Sequence, residues 1–318
     1  MTEITVGLPV HNGAQTLARA FDQMQAQTYA DFRLVVSDNA STDDTQRICK
    51  DYAARDSRIE YHRIDKLIPA SENYRGLIMG ASTPYFMWIS HDDIWLPTFI
   101  EKCLGAIRNR PNVVCVVPRS NVIEYDGRRT LDYDTAPLRG TAALRLALFL
   151  SKVSNNHRYY GVFRTDALQR SFPVGDWFFA YDWLVVALST LEGEHEEIPD
   201  VLFEKYANPK YHYFRSHTFE ARTSLEWLFP CLRFTKELHS RIPLPVWRAC
   251  LPKLVAINAE LLLQSVESFY PWLRRPLGML RVVARFLGGR VVLTQTLLES
   301  KELHQRMASL HAKPGARL

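Results

Sequence analysis

The sequence predicts an α/β protein with a mostly parallel, Rossmann-like central sheet, followed by a helical C-terminal region. Three observations carry this expectation. Short apolar runs alternate with segments of helical spacing through the first part of the chain, and several of these runs end in a polar cluster. After about residue 215 the pattern is helical throughout, punctuated by prolines at 230, 243, 245, 252, 271 and 276. Strands that alternate with helices pair in parallel through right-handed crossovers.

Residues 4–10 read as a buried strand, and residues 14–25 as a helix with Leu17, Phe21 and Met24 on one face. A second apolar strand covers 32–37, followed by the loop Asp38-Asn39-Ala40-Ser41-Thr42-Asp43-Asp44 and a helix over 45–55. Ser41 or Thr42 is the expected cap of that helix, with Asp43 and Asp44 at its positive end. A short strand at 59–62 and a helix at 72–79 lead to the apolar strand 85–89, which ends in Ser90-His91-Asp92-Asp93. Pro97 is expected to open a helix through Ile107, in the first turn where proline is tolerated. A fifth strand follows at 113–117, then an Asp126-Gly127 turn between short strands, and helices near 142–150 and 181–191. The soft boundary near 215 divides a catalytic domain, 1–215, from a helical region, 216–318.

The composition is that of a globular protein, with 47% hydrophobic and 23% charged residues. Its five cysteines lie far apart with no metal-ligand spacing, which predicts reduced, buried thiols and a cytoplasmic setting. The N-terminus shows no basic stretch followed by an apolar one, and no apolar run reaches the ~18 residues that a bilayer span needs. Charge is unevenly distributed. Residues 1–200 carry 21 Lys+Arg against 26 Asp+Glu, whereas residues 201–318 carry 18 against 8.

Ligands of open α/β sheets bind beyond the carboxyl ends of the strands. Three polar clusters fall there: Pro9-Val10-His11-Asn12, Ser37-Asp38-Asn39 and Ser90-His91-Asp92-Asp93. Each has a local reading as well. Asn12-Gly13 is a turn dipeptide, Asp38 a turn former, and Asp92-Asp93 a cap before the next helix. Adjacent carboxylates after a buried strand also suit Mg²⁺ or Mn²⁺, hard cations that share their shell with phosphates.

The runs VGLPVHNG, FRLVVSDNASTDDT, the segment around Glu72-Asn73, and YFMWISHDDIWLP together resemble family 2 of the nucleotide-sugar glycosyltransferases, over roughly residues 3–205. That resemblance implies the GT-A fold, a divalent metal cofactor (Mn²⁺ or Mg²⁺), a nucleotide-sugar donor and inversion at the transferred sugar. It places Pro9, His11 and Asn12 against the nucleotide, and Asp38 with Asn39 at the base, usually uracil. Asn73 and Arg75 line the nucleotide or diphosphate site. Asp92 resembles the metal-binding second aspartate of an Asp-x-Asp motif and Asp93 supports it, while Ser90 stands where the first aspartate is usual.

The resemblance also implies a base at the start of a helix later in the domain. Asp182 matches it, with Asp176 as the second candidate; Asp182 also reads as a helix cap. His212 or His217 then reaches the metal or the diphosphate, or is an ordinary surface histidine. Between Glu267 and Glu299 the chain has no acidic residue, while Arg274, Arg275, Arg281, Arg285 and Arg290 stand among apolar side chains. Such a helix either packs on the acidic half of the chain or lies on a membrane surface, with a glycan or lipid-linked acceptor at the inner face of the plasma membrane. No recognition motif for nucleic acid is present.

Two other classes compete with a transferase. A nucleotidyltransferase needs a Gly-rich, basic loop after the first strand, and Pro9-Val10-His11-Asn12-Gly13 has no basic grip of that kind. A catalytically degenerate domain that only binds a partner or membrane is favoured by Ser90 and disfavoured by the joint presence of Asp38, Asp92 and Asp182.

Overall fold

The computed structural model describes residues 2–124, 126–152, 156–173, 175, 178–207, 223–270 and 272. In chain order the elements are β1 (Ile4–Val10), α1 (Leu17–Gln25), β2 (Phe32–Asn39), α2 (Thr45–Ala53), β3 (Ile59–Ile64), α3 (Ala70–Met79), β4 (Tyr85–Trp88), β5 (Ile94–Trp95), α4 (Phe99–Ile107), β6 (Val113–Ile123) and β7 (Arg129–Asp132). Then come α5 (Ala142–Lys152), a 3₁₀ turn (His157–Tyr160), β8 (Val162–Arg164), α6 (Thr165–Ser171), α7 (Tyr181–Glu192), β9 (Glu194–Tyr206), α8 (Ser224–Leu228), α9 (Leu232–Arg241) and α10 (Leu244–Phe269).

Among the described residues the sheet runs β3-β2-β1-β4-β8-β6-β9-β5, with β7 added on β6. Strands β3, β2, β1 and β4 are parallel. β8 runs antiparallel to both β4 and β6, and β9 returns parallel to β6. The sheet is thus mixed, with parallel pairing on the nucleotide-site side and β8 as the seam. β1 is buried at all seven positions, as expected for a strand covered on both faces.

Several boundaries differ from the sequence expectation, each for a local reason. α2 is preceded by Asp44 and has no side-chain cap from Ser41 or Thr42; the Asp43 carboxylate instead accepts the Thr45 N–H at 3.0 Å. Pro97 lies ahead of α4 rather than in its first turn, because Ile94 and Trp95 are drawn off to pair with Glu204 and Phe203 of β9. Pro252 sits inside α10 instead of punctuating it, so the helix gives up the bond to the Arg248 carbonyl.

Two apolar clusters cover the sheet. One lies under α1 and α4 and includes Phe21, Trp95 and Phe99. The other joins Trp88, Tyr159, Phe172 and Trp183 to Phe234, Leu238, Cys250 and Leu254 of α9 and α10. The described C-terminal helices therefore share their core with the sheet layer. All five cysteines are free and buried. No described helix is long and apolar enough to cross a membrane.

Candidate active site

The loops that follow β1 and β2 are laced into one rim. The His11 ring donates from Nδ1 to the Asn39 carbonyl at 2.7 Å. Asn12, at positive φ, donates its N–H to Ser41 Oγ at 2.9 Å and accepts the Thr42 N–H at 2.8 Å. Gly13 donates to Thr45 Oγ1 at 2.9 Å, and a Cβ there would stand 2.6 Å from a Val10 methyl and 3.3 Å from the His91 ring. His91 in turn shares a 2.7 Å hydrogen bond with Thr16 at the start of α1, and burial pushes its pKa down. Pro9 pairs with Ser37 in the β1–β2 register, at the strand ends that open onto this rim.

Asp38 is fully enclosed. Its carboxylate accepts the Ser41 N–H (2.9 Å), the Tyr61 hydroxyl (2.7 Å) and the Arg63 guanidinium (2.8 Å). Burial pushes its pKa up, but these donors outweigh that and hold it below the ordinary value. A carboxylate has about four acceptor sites, so one remains for a further donor. Asn39 is tied back as well: its amide spans both polar groups of Ile68, at 2.8 and 3.0 Å. Asn73 locks α3 to the end of β2 through the Ser37 hydroxyl and carbonyl. Arg75 follows it, and its buried Nε has no hydrogen-bond partner.

The three candidate carboxylates sit in three different environments. Asp92 is exposed, and one oxygen takes the Ser90 hydroxyl. Arg19 of α1 donates to the Asp92 carbonyl at 2.7 Å and lies 5.3 Å from the Tyr206 ring centroid. Asp93 is buried, which pushes its carboxyl up to about 7 against the opposing pull of Lys205. Asp182 lies in the first turn of α7, behind Ala180 in the left-handed region. Burial raises its pKa; the Asn156 amide, donating to Oδ2 at 2.9 Å, and Lys205 oppose that rise. The charges of Asp92, Asp93 and Asp182 all act on the Tyr74 hydroxyl, which also bonds to Tyr160. The structure thus brings Asp92, Asp93 and Asp182 around Tyr74, Tyr160 and Lys205, next to the rim that carries His11, Asn12 and Asp38.

Lys205 was not legible as a site residue. It occupies the end of the long strand β9, where the strand-end rule points, but its sequence neighbourhood carries no motif. Tyr74 and Tyr160 look like core aromatics in the sequence. Asp176, His212, His217 and the arginines from 274 to 290 lie outside the described residues.

A second group lies deeper. His157 Nδ1 stands 3.5 Å from Asp132 Oδ2 and 3.4 Å from Asp134 Oδ1, and shares a 2.6 Å hydrogen bond with Ser120. Asp132, Asp134 and His157 have the ligand types and mutual approach that could hold a cation. They also form a satisfied ion-pair cluster as they stand. The sequence reading had not singled them out, because they come from β7, the loop beyond it and the 3₁₀ turn.

The sequence profile described as glycosyl transferase family 2 matches residues 5–172, more than half of the chain. An uncharacterized glycosyltransferase of Rickettsia typhi is 29% identical over 129 residues, 41% of this chain and 37% of that protein. The chain therefore spans well under half the length of that curated relative. The mannosyltransferase PcManGT from Pyrobaculum calidifontis, solved with GDP-Man and Mn²⁺, superposes with a TM-score of 0.59 at 15% identity, covering 94% of this chain and 88% of that one. S. aureus TarS residues 1–349 in complex with UDP-GlcNAc gives 0.53 at 15% identity, over 94% and 92%. At such identities the likeness establishes the fold, an open mixed sheet of GT-A type with helices after it. Profile, curated relative and fold agree: this chain belongs to glycosyl transferase family 2.

Proposed function

We propose that the chain is an inverting glycosyltransferase that moves a sugar from a nucleoside-diphosphate donor, a UDP-sugar, to a glycan or lipid-linked acceptor in surface polysaccharide assembly. One observation carries the reading: a buried helix-start carboxylate, Asp182, faces the Asp92–Asp93 strand end across Tyr74 and Lys205. The nucleotide sugars and Mn²⁺ named for the structural neighbours support a donor and metal of these kinds.

In this reading Asp182 removes the proton from the acceptor hydroxyl as that oxygen attacks the anomeric carbon, and the nucleoside diphosphate departs on the opposite side. A carboxyl whose pKa is raised by burial is the stronger base for that step. Asp92, exposed at the crevice, and Asp93 beside it have the hard oxygen donors that a divalent cation takes. Bound there, the cation offsets the charge of the departing diphosphate. Lys205 adds a fixed positive charge between the two halves of the site. His11, Asn12 and Asp38 shape the rim against which the nucleotide lies.

The acceptor side of the reading draws on the basic C-terminal segment and on α10, where Leu244, Leu251 and Val255 are exposed at helical spacing. In this reading the enzyme works at the cytoplasmic face of a membrane.

Calorimetry with UDP, GDP and dTDP, each with and without Mn²⁺, tests the donor site on the wild type and on Asp92→Ala. One nucleotide is expected to bind with metal present, and at least ten-fold more weakly to the variant. Absence of binding for all three nucleotides under both metal conditions would sink the reading.

A further inference from the structure

Asn156 stands where no family motif falls, yet it makes a side-chain contact to the proposed base. It is 1% exposed and holds a left-handed backbone, φ 50°, just before the 3₁₀ turn. Its amide Nδ2 donates to Asp182 Oδ2 at 2.9 Å, while its buried Oδ1 has no hydrogen-bond partner. A left-handed conformation costs most residues of order 1 kcal/mol, so a surrounding structure has to hold it. Here the next residue does so: the His157 N–H donates to Asp134 Oδ2 at 3.0 Å, and the His157 ring is gripped between Asp132, Asp134 and the Ser120 hydroxyl. Every atom of this grip is buried or nearly so, with His157 0% and Asp134 5% exposed.

We propose that Asn156 is a positioning residue for the sugar-transfer step: anchored through His157 to the Asp132–Asp134 cluster, it fixes the Asp182 carboxylate in the orientation in which its other oxygen meets the acceptor hydroxyl. The inference rests on the reading of Asp182 as the base. An amide is suited to the task because it donates a hydrogen bond without adding charge. A lysine or arginine there would hold the carboxylate ionised and blunt its basicity. The other groups that act on Asp182 are Lys205 from β9, Tyr74 from α3 and Tyr159 from the 3₁₀ turn, so only Asn156 among the side chains hydrogen-bonded to it in the described structure belongs to the buried cluster.

The direction of the effect follows. The Asn156 amide favours the ionised form of Asp182, so its loss raises the pKa of the base. The acidic limb of kcat then moves to higher pH. Asn156→Gly is the informative variant, because glycine keeps the left-handed backbone and removes only the amide. Asn156→Asp keeps the shape and replaces the donor by a second carboxylate, which pushes the limb further in the same direction.

The experiment measures pH profiles of kcat and donor KM for full-length wild type, Asn156→Gly, Asn156→Asp and Asp182→Asn, with thermal melts to confirm that each is folded. Asn156→Gly is expected to lower kcat about ten-fold and move the acidic limb up by about half a unit or more, with donor KM within two-fold. Asn156→Asp is expected to move the limb further still. A folded Asn156→Gly with wild-type kcat and limb, beside an inactive Asp182→Asn, overturns the positioning role alone. An Asp182→Asn variant as active as wild type overturns the base reading on which it rests.

Discussion

Asp92, Asp93 and Asp182 show how far the surroundings of one functional group can drive its chemistry. Asp92 is exposed and touches only the Ser90 hydroxyl among side chains, whereas Asp93, its neighbour, is sealed under β9 with a carboxyl pushed up to about 7 by burial. A carboxyl whose folded pKa lies above its ordinary 3.8 holds its proton more tightly in the native state, so its stabilising contribution is present below 3.8 and is lost as pH rises through about 7. The metal-free protein should therefore lose stability across that window, by up to about 4 kcal/mol. Melting temperatures from pH 4 to 8 check this: Asn at position 93 should flatten the slope, and an unchanged slope in Asp93→Asn shows that this carboxyl is not its source. The polar clusters behind Asp38 and Asp92 were visible in the sequence because strand ends carry ligand sites. Lys205, Tyr160 and Asn156 were not, since a lone lysine in Phe203-Glu204-Lys205-Tyr206 or an asparagine between apolar stretches takes its meaning only from what folds against it.

Gly13 shows the same dependence at the level of an element. The β1–α1 connection approaches His91 so closely that a Cβ would lie 2.6 Å from a Val10 methyl, and Val10 is β-branched with little freedom to yield. Gly13→Ala should cost about 1–3 kcal/mol and loosen the rim formed with Ser41 and Thr45, raising donor KM more than it lowers kcat. Steady-state kinetics with a denaturation curve decide it; unchanged KM and stability would mean the loop has slack. The helices and strands up to β4 were legible from periodicity because they pair with sequence neighbours through regular crossovers. β5 and β8 were not: two and three residues long, they owe their pairing to β9, β4 and β6, which lie far off in sequence. The same long-range pairing made the sheet mixed where strand–helix alternation implied parallel strands.

At the scale of the molecule, the C-terminal helices are bound into the catalytic layer. The ring of Phe234 on α9 meets Trp183, the residue after Asp182, at 6.4 Å between centroids and nearly edge-on, and Leu238 and Leu254 extend the same cluster. Phe234→Ala should cost about 3–5 kcal/mol and shift a single melting transition as a whole. Two separated transitions would show that helices 224–269 fold as a unit of their own. The sequence marked the change from α/β to helical pattern but not this shared core, because the apolar faces of α7, α9 and α10 find one another only in three dimensions. The antiparallel strand β8, between the parallel block β3-β2-β1-β4 and the block β6-β9-β5, has a consequence for how such a protein diverges. The rim beside the nucleotide belongs to the first block, while Asp182 and Lys205 arrive on elements that follow β8 in the chain. Lineages can rewrite the second block, and with it the choice of molecule to be decorated, while inheriting the activated-sugar chemistry of the first. Designers can exploit the same seam by exchanging whole C-terminal portions after β8.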